Sequence, residues 1–162
     1  MKHKGILYLT QGAIIAALYV VLTLLANMLG LANYAVQVRF SEALTVLPIF
    51  TPAAIPGLFI GCLISNLLSG CVIWDVIFGS IATLLGALGT YLLRRHKLPA
   101  LLPPILANTL IIPFVLVYAY GAEGALPFFM LTVGLGEIIS CGILGYLLIG
   151  LMNTKGKGIK WK

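Results

Sequence analysis

The chain has 162 residues, of which 61% are hydrophobic and 9% charged, with a mean hydropathy of +1.12. Soluble domains carry about 25% charged residues, so a water-soluble fold is excluded. At roughly 20 residues per spanning helix the length suits one domain of about six spans, with no room for a separate soluble domain.

The formal net charge of +6 is no nucleic-acid signature, because the ten basic residues are segregated. Lys2 and Lys4 precede the first apolar run; Arg94, Arg95 and Lys97 share one connection; Lys155, Lys157, Lys160 and Lys162 form the tail; Arg39 is the exception. Clusters of this kind mark cytoplasmic segments.

The opening MKHKGILYLTQGAIIAALYVVLTLL joins a basic start to an apolar run too long for a signal peptide. It reads as a retained first helix. Punctuation by Pro, Gly and polar residues then predicts six spans, near 6–29, 37–51, 55–70, 73–93, 100–119 and 127–151. The second and third are short for a hydrocarbon core about 30 Å thick. Pro48, Pro52 and Pro56 crowd their junction, so a broken, tilted or re-entrant pair is expected there. Six crossings bring the start, the Arg94–Lys97 connection and the tail to the cytoplasmic side, and the outward segments near 30–36, 70–72 and 120–126 carry no Lys or Arg. The expected architecture is an all-α integral membrane protein, a six-transmembrane-helix bundle with both termini cytoplasmic.

Small residues recur at helical spacing. Gly12, Ala13, Ala16 and Ala17 line one face of the first span, and Gly57, Gly61, Ser65 and Ser69 one face of the third. Gly79, Thr83, Gly86 and Thr90 do so in the fourth, and Gly134, Cys141, Gly142 and Gly145 in the sixth. Such faces allow close helix approach, within the bundle or to a partner. Cys62, Cys71 and Cys141 lie in or beside apolar runs and read as free thiols.

The informative residues are those that do not belong in lipid, where a central charge costs at least about 2.5–3.5 kcal/mol. Arg39, Glu42, Asp75 and Glu137 fall in the outer half of the membrane or near its midplane, and Asn66 and Asn108 can join them at that level with paired donors and acceptors. An interior cavity opening outward is the economical arrangement. Arg39 and Glu42, three residues apart, can instead neutralise each other on one helical face. Asp75 can be a helix N-cap, whereas Glu137 has no cationic partner in its own span. Trp74, Phe40, Tyr34, Tyr118 and Tyr120 either stack on a planar ligand or form an interfacial belt. Catalysis finds no support, with His3 and His96 far from the acids, and no metal cluster or phosphate-binding G-x-x-x-x-G-K-[ST] loop is present.

The runs QVRFSEALTVLPIFTPAAIPGLFIGCLISNLLSG, WDVIFGSIATLLGALGTYLLRR, LANTLIIP and GEIISCGILGYLL resemble the QueT family of queuosine-precursor transporters, over about Gly12 to Met152. The resemblance implies a substrate-binding (S) component of an energy-coupling-factor (ECF) importer in a prokaryotic cell membrane. Such components have six helices and work with a transmembrane T subunit and two cytoplasmic ATPases, so ATP would be used by the partners and this chain needs no cofactor. The implied ligands are 7-deazaguanines: preQ1, preQ0 or queuine. A carboxyl can accept from both the N1–H and the exocyclic amine of such a base, which makes Glu137 the first choice. Asp75 or Glu42 suits a protonated aminomethyl arm, Asn66 and Asn108 the carbonyl and ring nitrogens, Arg39 completes the polar set, and Trp74 or Phe40 offers a stacking face. S components of this class are similar in carrying an A-x-x-x-A pattern that docks on the T subunit; here Ala13 and Ala17 have that spacing, widened by Gly12 and Ala16. The competing readings are a stand-alone secondary transporter or channel, in which the acids relay protons, and an intramembrane enzyme, which would need Asp75 and Glu137 as a catalytic pair.

Overall fold

The computed structural model describes residues 2–31 and 37–155; Tyr34 and the tail residues Lys157, Lys160 and Lys162 lie outside the described residues. The described chain is helical, in the order α1 (Lys2–Met28), a 3-10 helix (Phe40–Ile49), α2 (Ala54–Leu68), α3 (Ile73–Leu92), a short 3-10 turn (Pro99–Leu101), α4 (Leu102–Tyr118), α5 (Leu126–Glu137), a π-helical segment (Ile138–Leu144) and α6 (Gly145–Lys155). Four stretches are long and apolar enough to cross a membrane: Lys4–Met28, Ile73–Leu92, Pro99–Tyr118 and Leu126–Asn153.

The two expected short spans are short. At about 2.0 Å per residue, ten 3-10 residues rise only about 20 Å, and fifteen α-helical residues rise about 22 Å at 1.5 Å each. The 3-10 helix is also no lipid-facing span. Ser41, Glu42 and the run from Leu44 to Pro48 are buried in it, because it packs against α1, α3, the π segment and α6. Thr45 Oγ1 donates to Glu42 O at 2.6 Å inside it, and Arg39 enters it with extended backbone.

Cross-links between elements fix the chain's alternation. At one end Tyr8 Oη donates to Pro52 O (3.2 Å) and Thr51 Oγ1 to Gln11 Oε1 (2.9 Å). At the other, Asn27 Nδ2 donates to Ser69 Oγ (2.7 Å). The 3-10 helix therefore runs back along α1, and α2 lies parallel to α1. Small residues set the closest approaches: a Cβ at Gly57 would fall 2.6 Å from Gly12 O, and one at Gly61 2.8 Å from Tyr19 Cβ and 3.0 Å from Ala16 O. Gly86 meets Pro104 and Gly89 meets Pro103 in the same way, joining α3 to the start of α4. The small-residue faces of α2 and α3 are thus consumed within the bundle.

The distribution of polarity is inverted. Large apolar side chains such as Ile6, Leu9, Leu92, Leu106, Leu131 and Leu147 cover the outside. Inside lie Ser41, Thr45, Ser65, Asn66, Ser80, Thr83, Thr90, Asn108, Thr132 and Ser140, together with the carboxyls of Glu42, Asp75 and Glu137.

Candidate functional site

Three segments bring the site together. Near the middle of α4, Asn108 faces inward. Glu137 ends α5, where the helix passes into its π-helical turn, a local widening that recurs at functional sites. The widened turn buries Ser140 and Cys141 side by side: Ser140 Oγ accepts the Arg39 N–H at 3.1 Å, and Cys141 Sγ lies 3.2 Å from Thr45 Oγ1. The extended strip leading to Phe40 crosses α5 at Gly136, where a Cβ would fall only 2.2 Å from Gln37 O. That approach needs glycine, and it sets Gln37 and Arg39 beside Glu137.

Gln37, Arg39, Asn108, Ile112, Val133 and Glu137 enclose a cavity of about 20 Å³. Such a space holds about one water molecule, so the expectation of a ligand-sized chamber open to the outside is corrected: the polar walls meet over a water-sized void. Across the bundle interior the polar atoms are incompletely paired. Glu42 Oε2, Asp75 Oδ1, Asn108 Nδ2, Thr109 Oγ1 and Glu137 Oε2 are buried without a hydrogen-bond partner. Asn108 lies close enough to interact with both Glu42 and Glu137, yet its amide satisfies neither with ordinary geometry. Leaving such an atom unsatisfied costs about 1–3 kcal/mol, and two of the five, on Asn108 and Glu137, belong to walls of the one cavity.

Arg39 lies within electrostatic reach of Asp75, Glu42 and Glu137. Among the described residues it closes no contact ion pair with Glu42; it stands at the N-cap of the 3-10 helix, and the two charges act on each other through space. Glu42 is held from α1 instead, its Oε1 accepting from Tyr19 Oη, while Thr23 Oγ1 donates to Ser41 Oγ (2.8 Å) one turn on. Asp75 is not an N-cap: Val72 occupies that position, and the Asp75 carboxyl accepts from Tyr120 Oη at 2.9 Å. Burial, with the Asp75 carboxyl beside it, raises the pKa of the Tyr120 hydroxyl well above the usual tyrosine range, keeping it protonated as a donor.

Of the residues expected from sequence, Arg39, Asn108 and Glu137 line the cavity and Glu42 adjoins it. Asp75 and Asn66 form a second polar knot, in which Asn66 Nδ2 donates to Asp75 O at 3.4 Å and contacts Cys62 Sγ at 3.6 Å. Trp74 is not in the site; it is 55% exposed and stacks on Phe78 at 6.0 Å on the outer surface. Phe40 is half-buried and does not line the cavity. Tyr19 and Gln37 are additions that sequence reasoning missed, and Tyr120, expected as a stacking or belt aromatic, donates to Asp75 instead. Tyr19 and Tyr120 read as core or belt aromatics, and only a charge in lipid advertises itself. On α1, Gly12 and Ala16 turn toward α2 while Ala13 and Ala17 are exposed.

An apolar exterior of long helices around a polar, carboxyl-bearing interior defines a helical membrane protein. The comparisons narrow the class. The QueT transporter family model matches residues 9–154, and the chain belongs to that family, one of transporters rather than enzymes. Over 98 residues it is 41% identical to the queuosine precursor transporter QueT of Lactococcus lactis subsp. cremoris (strain MG1363), a match covering 60% of this chain and 57% of that relative. No solved structure matches.

Proposed function

We propose that the chain is the substrate-binding component of an ATP-dependent importer of the energy-coupling-factor type, and that it captures a 7-deazaguanine queuosine precursor from outside the cell. The observation that carries this reading is the pair of unpartnered atoms, Glu137 Oε2 and Asn108 Nδ2, on the walls of one cavity with Arg39 and Gln37. A guanine-type edge presents N–H donors beside a carbonyl acceptor. Glu137 accepts from the donors, Arg39 and Gln37 donate to the carbonyl, and Asn108 can do either. Ligand pockets generally measure about 300–1,000 Å³, so binding requires the strip around Gln37 and Arg39 to move away from α5.

The alternating crossings bring Lys4 and the exposed Arg94–Lys97 connection to the same end, which supports a cell-membrane protein with that end and both termini in the cytoplasm. The partners in this reading are a transmembrane T subunit and two ATPases that supply the energy. The exposed Ala13 and Ala17 support docking of the T subunit, since they border an apolar groove of about 470 Å³ between α1 and α2. A second reading, a stand-alone proton-coupled transporter, draws on the excess of buried carboxyls over the single guanidinium.

Purified protein titrated with 7-aminomethyl-7-deazaguanine tests the ligand. Proteoliposomes holding this chain alone then test the coupling. Uptake driven by a proton gradient without partners would replace the importer reading with the second.

A further inference from the structure

Two carboxyls in the bundle are held in the same way. Glu42 Oε1 accepts from Tyr19 Oη, and Asp75 Oδ2 accepts from Tyr120 Oη. In both, the remaining oxygen is buried with no partner. The two tyrosines come from unrelated parts of the chain, the middle of α1 and the connection after α4. Each is anchored from behind. Tyr19 is enclosed, with its Cβ against the face of Gly61, and Tyr120 Oη accepts the Val72 N–H at 3.4 Å.

A free carboxyl can rotate to satisfy both oxygens. One pinned by a phenol presents a single oxygen in a fixed direction. For Asp75 that direction is identifiable. A Cβ at Gly79 would fall 3.0 Å from Asn66 Nδ2, 3.3 Å from Asp75 Oδ1 and 3.9 Å from Ile112 Cδ1, so Asp75 Oδ1 packs with the Asn66 amide on the side of α3 that meets Ile112, a wall of the cavity. The Asp75 carboxyl therefore lies behind the Ile112 wall of the cavity and within electrostatic reach of Arg39, another of its walls. Glu42 belongs to the other end, beside Asn108 and Glu137.

Resting on the reading of this site as a ligand site, we infer that Tyr19 and Tyr120 are positioning residues that orient two separate acceptors: Glu42 Oε2, which joins Glu137 at the donor edge of the ring, and Asp75 Oδ1 for a cationic arm at the ligand's far side. This divides specificity between two places. Loss of the Tyr120 phenol frees Asp75 to turn away and weakens recognition of the arm alone. Loss of the Tyr19 phenol disturbs the ring edge and weakens every ligand that shares the ring.

The test is titration of wild-type protein, Tyr120→Phe and Tyr19→Phe with 7-aminomethyl-7-deazaguanine and with its uncharged 7-cyano analogue. A hydrogen bond to a charged group contributes about 1.5–3 kcal/mol. Y120F is accordingly expected to lose at least about tenfold in affinity for the aminomethyl compound while the cyano compound changes by less than about threefold, so that the ratio between them moves. Y19F is expected to weaken both by similar factors. Tyr120 is 43% exposed at the edge of the bundle, so Y120F keeps the inference testable where Y19F does not fold. Wild-type binding with an unchanged ratio in Y120F overturns the inference and leaves the ligand reading intact. Wild-type protein that binds neither compound overturns the ligand reading, and the inference with it.

Discussion

Glu137 Oε2 and Asn108 Nδ2, an acceptor and a donor, face the same cavity from α5 and α4, and neither is hydrogen-bonded. The two side chains lie close enough to interact and yet leave these atoms unpaired, which makes the pair the first place to test the proposed ligand site. Glu137→Gln keeps the shape and replaces a carboxyl acceptor with an amide. Affinity for 7-aminomethyl-7-deazaguanine is expected to fall about ten- to a hundredfold by isothermal titration. The ligand-free thermal midpoint should hold or rise, because an uncompensated buried acid is removed. A variant that lost stability and kept its affinity would make Glu137 a structural residue.

Gly136 governs whether the Gln37–Arg39 strip can lie against α5 at all. A methyl group there would sit 2.2 Å from Gln37 O, and backbone cannot yield as a flexible side chain can. Gly136→Ala is expected to destabilise the protein by about 1–3 kcal/mol, the usual range for overpacking, and to weaken ligand binding by displacing Arg39. Gly150→Ala, where a Cβ meets nothing within 4 Å, is the control. Equal thermal midpoints for the two variants would show that the strip does not depend on this contact.

What the sequence revealed and what it hid divide along physical lines. The apolar runs and Arg39, Glu42, Asp75 and Glu137 were legible because the cost of a charge in lipid leaves few reasons for one to be there. The inward placement of Asn108 followed from the same argument. The 3-10 geometry of Phe40–Ile49 was not legible, since a 3-10 and an α-helix differ in hydrogen-bond register and little in composition. The π segment after Glu137 was hidden for the same reason. Trp74 was misassigned because amphipathic aromatics near a membrane surface suit both a belt and a stacking wall; its packing on Phe78, outside the bundle, decides for the belt. The closeness of the walls around the cavity depends on Gly136, whose role appears only when Gln37 is seen against it.

Cys71 offers a test of topology. It lies in the connection between α2 and α3 and is half-buried, whereas Cys62 and Cys141 are buried in the bundle. If that connection faces outward, a membrane-impermeant maleimide added to intact cells labels Cys71 and spares the other two. Burial and the nearby Asp75 carboxyl push the Cys71 pKa up, and the thiolate is the reacting form. Labelling is therefore expected to be slow at neutral pH and to accelerate as pH rises past the ordinary thiol range. Mass spectrometry of the labelled peptides reads the outcome, and labelling only after cell lysis would reverse the assigned orientation.

The two sides of α1 separate docking from folding. Ala13 and Ala17 are exposed beside the groove, while Ala16 is buried, with its backbone within 3.1 Å of where a Gly61 Cβ would lie. A leucine at Ala13 or Ala17 projects into the groove and leaves the helix contacts of the bundle untouched. A leucine at Ala16 must push α1 and α2 apart, and with them Tyr19, which touches Gly61 on the same face and holds Glu42. Ala13→Leu and Ala17→Leu are expected to keep the thermal midpoint and the ligand affinity of the wild type but to lose co-purification with the T subunit. Ala16→Leu is expected to lose about 1–3 kcal/mol of stability and ligand affinity together. If Ala13→Leu and Ala17→Leu co-purify as well as the wild type, the groove is a lipid-facing surface and docking lies elsewhere on the bundle.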